Sequence, residues 1–226
     1  MKIVIVTGAE SGLGKGIANL FESKGYHVVN LPREIFWEDN MKSAIDSFID
    51  EVASTCDVYG VINCFGINHL SFIGETPEED ERIFRINAMG PYWVINALKR
   101  NKQVCKVLNV SSQTYRVAQR TTSIYCASKA ALSHMTKVMS RELAPHGWQV
   151  NAYSPGKILG TKMARKTDKQ VTELRGWEDD DADDYAKSMI PVGRFMDVEE
   201  ASQIAYQIFE LPHYVAGETI AATGGV

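Results

Sequence analysis

The sequence lacks the spacings that build metal centres and redox dithiols. Cys56, Cys64, Cys105 and Cys126 form no CxxC pair, and His27, His69, His134, His146 and His213 fall into no ligand pattern. Zinc and disulfide chemistry are set aside, no metal site is expected, and the four thiols are expected to stay reduced. Basic residues are also sparse as clusters: 24 Lys and Arg against 28 Asp and Glu leave a net charge of −4, with no track for a phosphate backbone and no nucleic-acid partner expected. Long apolar runs are missing as well. The opening MKIVIVTGAESG is broken by Gly and Glu before a secretory core or a bilayer span is complete, which points to a cytoplasmic protein without membrane contact. What remains, 45% hydrophobic and 23% charged over 226 residues, is the composition of a folded chain and fits one α/β domain spanning 1–226.

Strand-like apolar runs at 2–6, 27–31, 58–64, 104–110, 149–153 and 218–222 alternate with helical periodicity at 14–23, 41–53, 78–100, 125–143 and 199–211. In the second helical stretch Met41, Ile45, Phe48, Ile49 and Val52 share one face. Pro32 stops the second strand, and Pro145 and Gly147 stop the helix before the fifth. The alternation predicts a doubly wound, mostly parallel, Rossmann-like sheet of about seven strands with helices on both faces. Residues 157–196 show no clear periodicity and include the acidic stretch from Trp177 to Asp184. Such a length inside one domain reads as a flap over a substrate pocket, and the acidic stretch as a solvated face rather than a calcium loop.

Thr7-Gly8-Ala9-Glu10-Ser11-Gly12-Leu13-Gly14 lies between the first strand and the first helix, where a parallel sheet places a nucleotide crevice. Glycines there let the backbone approach a pyrophosphate, which meets the free N–H groups of the helix start. The spacing T-G-x-x-x-G-x-G resembles that of the short-chain dehydrogenase/reductase family, and Asn63-Cys64-Phe65-Gly66 is similar to that family's Asn-Asn-Ala-Gly segment. The resemblance implies an NAD(P) cofactor held by Gly8, Ser11, Gly12, Leu13 and Gly14, with Asn63 and Gly66 alongside. Dinucleotide choice is made at the end of the second strand, where a carboxylate bonds the ribose hydroxyls. Pro32 holds that position here and Arg33 follows, a fork of donors suited to a phosphate, so NADP(H) is favoured with NAD(H) possible. The stretch 32–40 is short, with no room for the helix and strand that relatives insert.

Tyr125 and Lys129 stand four apart at the start of a helix and so share a face. An ammonium beside a phenol favours the phenolate, and the pair can act as a general acid/base. Ser112 lies 13 positions before Tyr125, and Asn87 sits in the long preceding helix within Arg85-Ile86-Asn87-Ala88. Buried in a helix, the Asn87 amide is expected to bond backbone or water. The four match the family's catalytic positions: Tyr125 moves the proton, Ser112 orients the reacting oxygen, Lys129 tunes Tyr125 and binds ribose, and Asn87 completes a relay. Cys126 reads as a small thiol beside the site rather than a nucleophile. Pro155-Gly156 and Ile158 are similar to the family's turn beside the nicotinamide, with Thr161 one residue later than usual. The tail from Pro191 resembles that of 3-oxoacyl-carrier-protein reductases, with Thr223 where an aspartate is more usual.

The resemblance implies hydride transfer between a nicotinamide and a small carbonyl or secondary alcohol. A cofactor-retaining epimerase or lyase and a non-catalytic dinucleotide sensor stay open as alternatives. It also implies a homotetramer or homodimer paired through the helices at 78–100 and 125–143.

Overall fold

A computed structural model of the chain describes residues 1–176 and 179–226, with the backbone alone at 175 and 179–182. Trp177 and Glu178 of the acidic stretch therefore lie outside the described residues. Strands β1 Ile3–Thr7, β2 His27–Leu31, β3 Val58–Asn63, β4 Lys106–Val110, β5 Gln149–Pro155 and β6 Thr219–Ala222 form one sheet in the order β2-β1-β3-β4-β5-β6, every pairing parallel. The inner strands are buried on both faces, which is why they read as unbroken runs such as Val61-Ile62 and Val107-Leu108. The helices are α1 Gly12–Ser23, α2 Met41–Thr55, α3 Pro77–Phe84, α4 Gly90–Arg100, α5 Ser123–Leu143, α6 Lys162–Arg175, α7 Asp179–Ser188 and α8 Val198–Phe209. On one face α1 and α8 pack Ile17 and Phe21 with Ala205 and Phe209; on the other, α2, α4 and α5 bury Ile45, Val94, Leu98 and Met139. None of the described helices is long and apolar enough to cross a membrane.

Among the described residues the sheet has six strands rather than about seven. Residues 32–40 hold only a 3-10 turn, Arg33–Trp37, so no strand forms beyond β2 and β2 is left as the sheet edge. Phe36 turns back from this segment into the core, its ring 5.0 Å from that of Phe65. The helix expected at 78–100 is interrupted by a π turn at Arg85–Met89. Within 157–196, where the sequence shows no clear periodicity, Lys162–Arg175 and Asp179–Ser188 form helices. Helix α6 starts where the Thr161 Oγ1 accepts from the Ala164 N–H at 3.0 Å and ends at Gly176 with φ 65. Its faces are mostly polar, so no stripe marks it; only its cap and its closing glycine do.

Three buried side chains tie the sheet to α5. The Asn63 Nδ2 donates to Asn109 Oδ1 at 2.8 Å, and Asn109 Nδ2 donates to Thr136 Oγ1 at 2.9 Å. Replacing the middle member strands the Asn63 amide, at about 1–3 kcal/mol for an unsatisfied group, while Thr136 keeps its bond to the Leu132 carbonyl. Asn109→Leu is therefore expected to lower the unfolding free energy by about 1–3 kcal/mol, read by urea denaturation; an unchanged midpoint would refute the role given to this chain of bonds.

Candidate active site

Two clusters face each other at the carboxyl end of the sheet, the crevice where open α/β sheets bind ligands. The first is the turn from β1 into α1. Gly8 and Gly12 have φ of 74 and 55, and a Cβ on Gly14 would stand 2.2 Å from the Gly8 carbonyl oxygen, so only glycine closes this turn. Thr7 Oγ1 accepts from the Cys64 and Phe65 N–H groups at 3.0 and 2.9 Å and clamps the turn to the chain leaving β3. Ser11 caps α1 without a side-chain bond, and the first turn of α1 carries no acidic residue, so the N–H groups of Gly12, Leu13 and Gly14 are open to an anion. The Thr161 methyl sits 3.5 Å from where a Gly12 side chain would begin, which brings the start of α6 to this turn.

The second cluster holds the four expected catalytic positions. Tyr125 and Lys129 are buried on the first turns of α5, with Lys129 Nζ 5.9 Å from the Tyr125 ring centroid. Lys129 Nζ donates to the Val110 carbonyl at 2.8 Å, which fixes it over the end of β4. Ser112, two residues beyond β4, accepts from the Thr114 N–H at 3.3 Å and lies near enough to the Tyr125 phenol to lower its pKa. Asn87 lies in the π turn, a geometry that recurs at functional sites. Its amide is fully committed: Oδ1 accepts from the Ile67 N–H at 2.9 Å, and Nδ2 donates to the Ile67 carbonyl at 2.9 Å and to Ser128 Oγ at 3.1 Å. Gly66 passes so close that a Cβ would stand 3.1 Å from Asn87 Oδ1 and 3.3 Å from Lys129 Nζ.

Burial decides the electrostatics. It raises the Tyr125 phenol above its ordinary value, with the neighbouring Ser112 opposing, and so reverses the lowering expected from Lys129. The same desolvation lowers the Lys129 ammonium to about 8. Cys64, close by, is pushed up to about 12 by burial and is inert as a nucleophile.

A roof lies over the crevice. Lys157, directly after Pro155-Gly156, reaches Asp168 of α6 at 2.6 Å and Asp183 of α7 at 3.2 Å and stacks on Phe195. From the other side, Gln170 of α6 accepts from the Leu70 N–H at 3.4 Å and contacts His69 Nδ1 at 3.0 Å, and Lys166 donates to the Asn68 carbonyl at 3.3 Å. Helix α6 thus bridges the loops that follow β3 and β5. Ile158 pairs with Met196 in an isolated bridge beside it.

A nicotinamide dinucleotide fits these residues. The glycine turn is a cradle that side chains would fill, and Asn63 Oδ1, Gln113 Oε1 and Ser154 Oγ are buried at the ends of β3, β4 and β5 without a partner. Arg33 stands just beyond the end of β2, where its exposed Nε pairs with Glu34 at 3.1 Å. Ser128 escaped the sequence reading, although its place three residues after Tyr125 on one helical face was a usable signal.

Fold, glycine turn and buried tyrosine–lysine pair together define the class: the chain belongs to the short-chain dehydrogenase/reductase family. A family description, Enoyl-(Acyl carrier protein) reductase, matches residues 38–226. The chain is 29% identical over 247 residues to an NAD-dependent glycerol dehydrogenase of Listeria innocua, covering 99% of this chain and 93% of the relative. It is 28% identical over 254 residues to a 3-oxoacyl-[acyl-carrier-protein] reductase of Thermotoga maritima, covering 100% and 97%. In fold it is similar to the aldohexose dehydrogenase of Thermoplasma acidophilum, with a TM-score of 0.88 at 21% identity over 99% of this chain and 93% of that one.

Because folding lowers the Lys129 pKa from 10.5 to about 8, the unfolded chain binds the extra proton between those values, and the contribution of Lys129 to stability rises with pH across that window. At about 1.4 kcal/mol per pKa unit, the stability of Lys129→Met relative to the parent should fall by a few kcal/mol between pH 8 and pH 10.5. Denaturation curves at the two ends of the window check this; a constant difference would contradict it.

Proposed function

We propose that the protein is an oxidoreductase that transfers a hydride between a nicotinamide dinucleotide and a small carbonyl or secondary alcohol. The observation that carries this reading is the convergence of Tyr125, Ser112 and Lys129 on one buried spot at the carboxyl end of the sheet, across from the glycine turn. The dinucleotide, when bound, supplies or takes the hydride. Gly8, Ser11, Gly12, Leu13 and Gly14 would hold its pyrophosphate, Asn63 and Gly66 would lie along it, and Pro155, Gly156 and Ile158 would stand beside its nicotinamide. Ser112 holds the substrate oxygen, and Tyr125 gives it the phenolic proton in reduction and takes it back in oxidation. Burial keeps the phenol protonated until then, and the Lys129 ammonium stabilises the phenolate left behind. Asn87 acts through others, as a positioning residue that fixes Ile67 and Ser128 around the pair.

Support for a small hydroxylated substrate comes from the relatives, among them the glycerol and aldohexose dehydrogenases. The roof of α6 and α7 is the flap over that substrate. We place the protein in the cytoplasm as a homotetramer or homodimer; the exposed Phe84, Tyr92 and Val138 on α3, α4 and α5 support pairing through these helices, and β6 is a sheet edge that a second copy can cover. Sequence favoured NADP(H) through Arg33. The Arg33 guanidinium is shared with the adjacent, exposed Glu34, which weakens its pull on a phosphate.

Tyr125→Phe is expected to lose about 10²–10⁴-fold in turnover with a hydroxyketone panel while binding the reduced dinucleotide with unchanged affinity by fluorescence titration. Full-rate turnover by this variant would sink the assignment.

A further inference from the structure

We infer that Glu10, in the glycine-rich turn, supplies the carboxylate that reads the adenosine ribose and makes the protein select NAD(H) over NADP(H). The inference rests on the reading that the crevice binds a nicotinamide dinucleotide. In such folds a carboxylate at the end of the second strand bonds the ribose hydroxyls and repels a 2′-phosphate. Pro32 occupies that position here and offers nothing. The structure delivers a carboxylate to the same place from the neighbouring turn.

Glu10 Oε1 accepts from Asn30 Nδ2 at 2.8 Å and from the Arg33 N–H at 3.4 Å, so its head group lies against the last residues of β2 and the first residue beyond it. Asn30 locks this geometry, because its Oδ1 accepts from the Ala9 N–H at 3.1 Å while its Nδ2 holds Glu10. One amide thereby joins the glycine turn to β2 and orients the carboxylate. No ion pair neutralises Glu10 among the described residues, whereas the Arg33 guanidinium is matched by Glu34. Two carboxylates and one guanidinium at this corner give a net negative site. A hydroxyl can donate to it; a phosphate carrying nearly two negative charges is repelled. The short 32–40 segment contributes as well, since it leaves β2 at the sheet edge and this corner exposed to a ligand rather than covered by another strand.

The test is fluorescence titration of NADH and NADPH against the full chain, without substrate, for the parent, Glu10→Gln, Glu10→Ala and Arg33→Ala. The parent is expected to bind NADH about tenfold or more tightly than NADPH, with the gap narrowing as salt is raised. Glu10→Gln, which can keep the bond to Asn30, should tighten NADPH and weaken NADH so that the ratio falls several-fold toward unity, with Glu10→Ala doing the same. Thermal melts within a few degrees of the parent would show that the variants fold. Tighter binding of NADPH by the parent, or an unchanged ratio in both Glu10 variants with loss of NADPH affinity only in Arg33→Ala, overturns the inference and leaves the proposed function intact. Failure of the parent to bind either dinucleotide overturns both.

Discussion

The side chain of Asn87, buried in a π turn between α3 and α4, holds together segments that apolar packing alone would leave free to slide. It pairs with both backbone groups of Ile67, which follows the loop from β3, and with Ser128, whose hydroxyl donates in turn to the Tyr125 carbonyl at 2.7 Å. The π turn sets this side chain toward Ile67 and Ser128 while Ile86 and Val94 on either side stay in the core. Gly66 is part of the same arrangement, because a side chain there would enter the space of Asn87 and Lys129. Losing the amide would strand up to three buried polar groups, each at about 1–3 kcal/mol. The position of Tyr125 and Lys129 relative to the glycine turn depends on this one residue.

Desolvation then does work that a charge pair alone would not. It favours the neutral phenol of Tyr125 and makes the Lys129 ammonium costly, so the resting site holds its proton on Tyr125 and strains to keep its charge on Lys129. Departure of the phenolic proton relieves this, because a phenolate beside an ammonium in a low-dielectric pocket stabilises both ions. The same burial that opposes ionisation of the phenol at rest would favour the phenolate–ammonium pair that the proposed transfer forms.

Much of this could be read from residues alone. The strands of the buried sheet announced themselves as continuous β-branched runs, and the Tyr125–Lys129 spacing placed two functional groups on one helical face. The π turn was not legible, since the apolar stripes of α3 and α4 join into one apparent helix and only the amide of Asn87 hints at a break. Helix α6 hid because its burial comes from ionic and amide ties, Asp168 to Lys157 and Gln170 to His69, rather than from an apolar face. The pKa of Tyr125 went the opposite way from expectation because spacing reveals a neighbouring charge but not the depth of burial. Arg33 was legible as a cation; its pairing with the adjacent Glu34, and the reach of Glu10 to β2, exist only in three dimensions.

The central claim is that a hydride passes directly between a bound nicotinamide and a carbon in this crevice while Tyr125 handles the proton. It is tested most directly by reducing a hydroxyketone in ordinary water with reduced nicotinamide deuterated on its hydride-donating carbon, and locating the label by NMR. The account predicts an alcohol carrying a single deuterium on the new carbinol carbon. An alcohol formed without the label, or product formed with no oxidation of the nicotinamide, would contradict it.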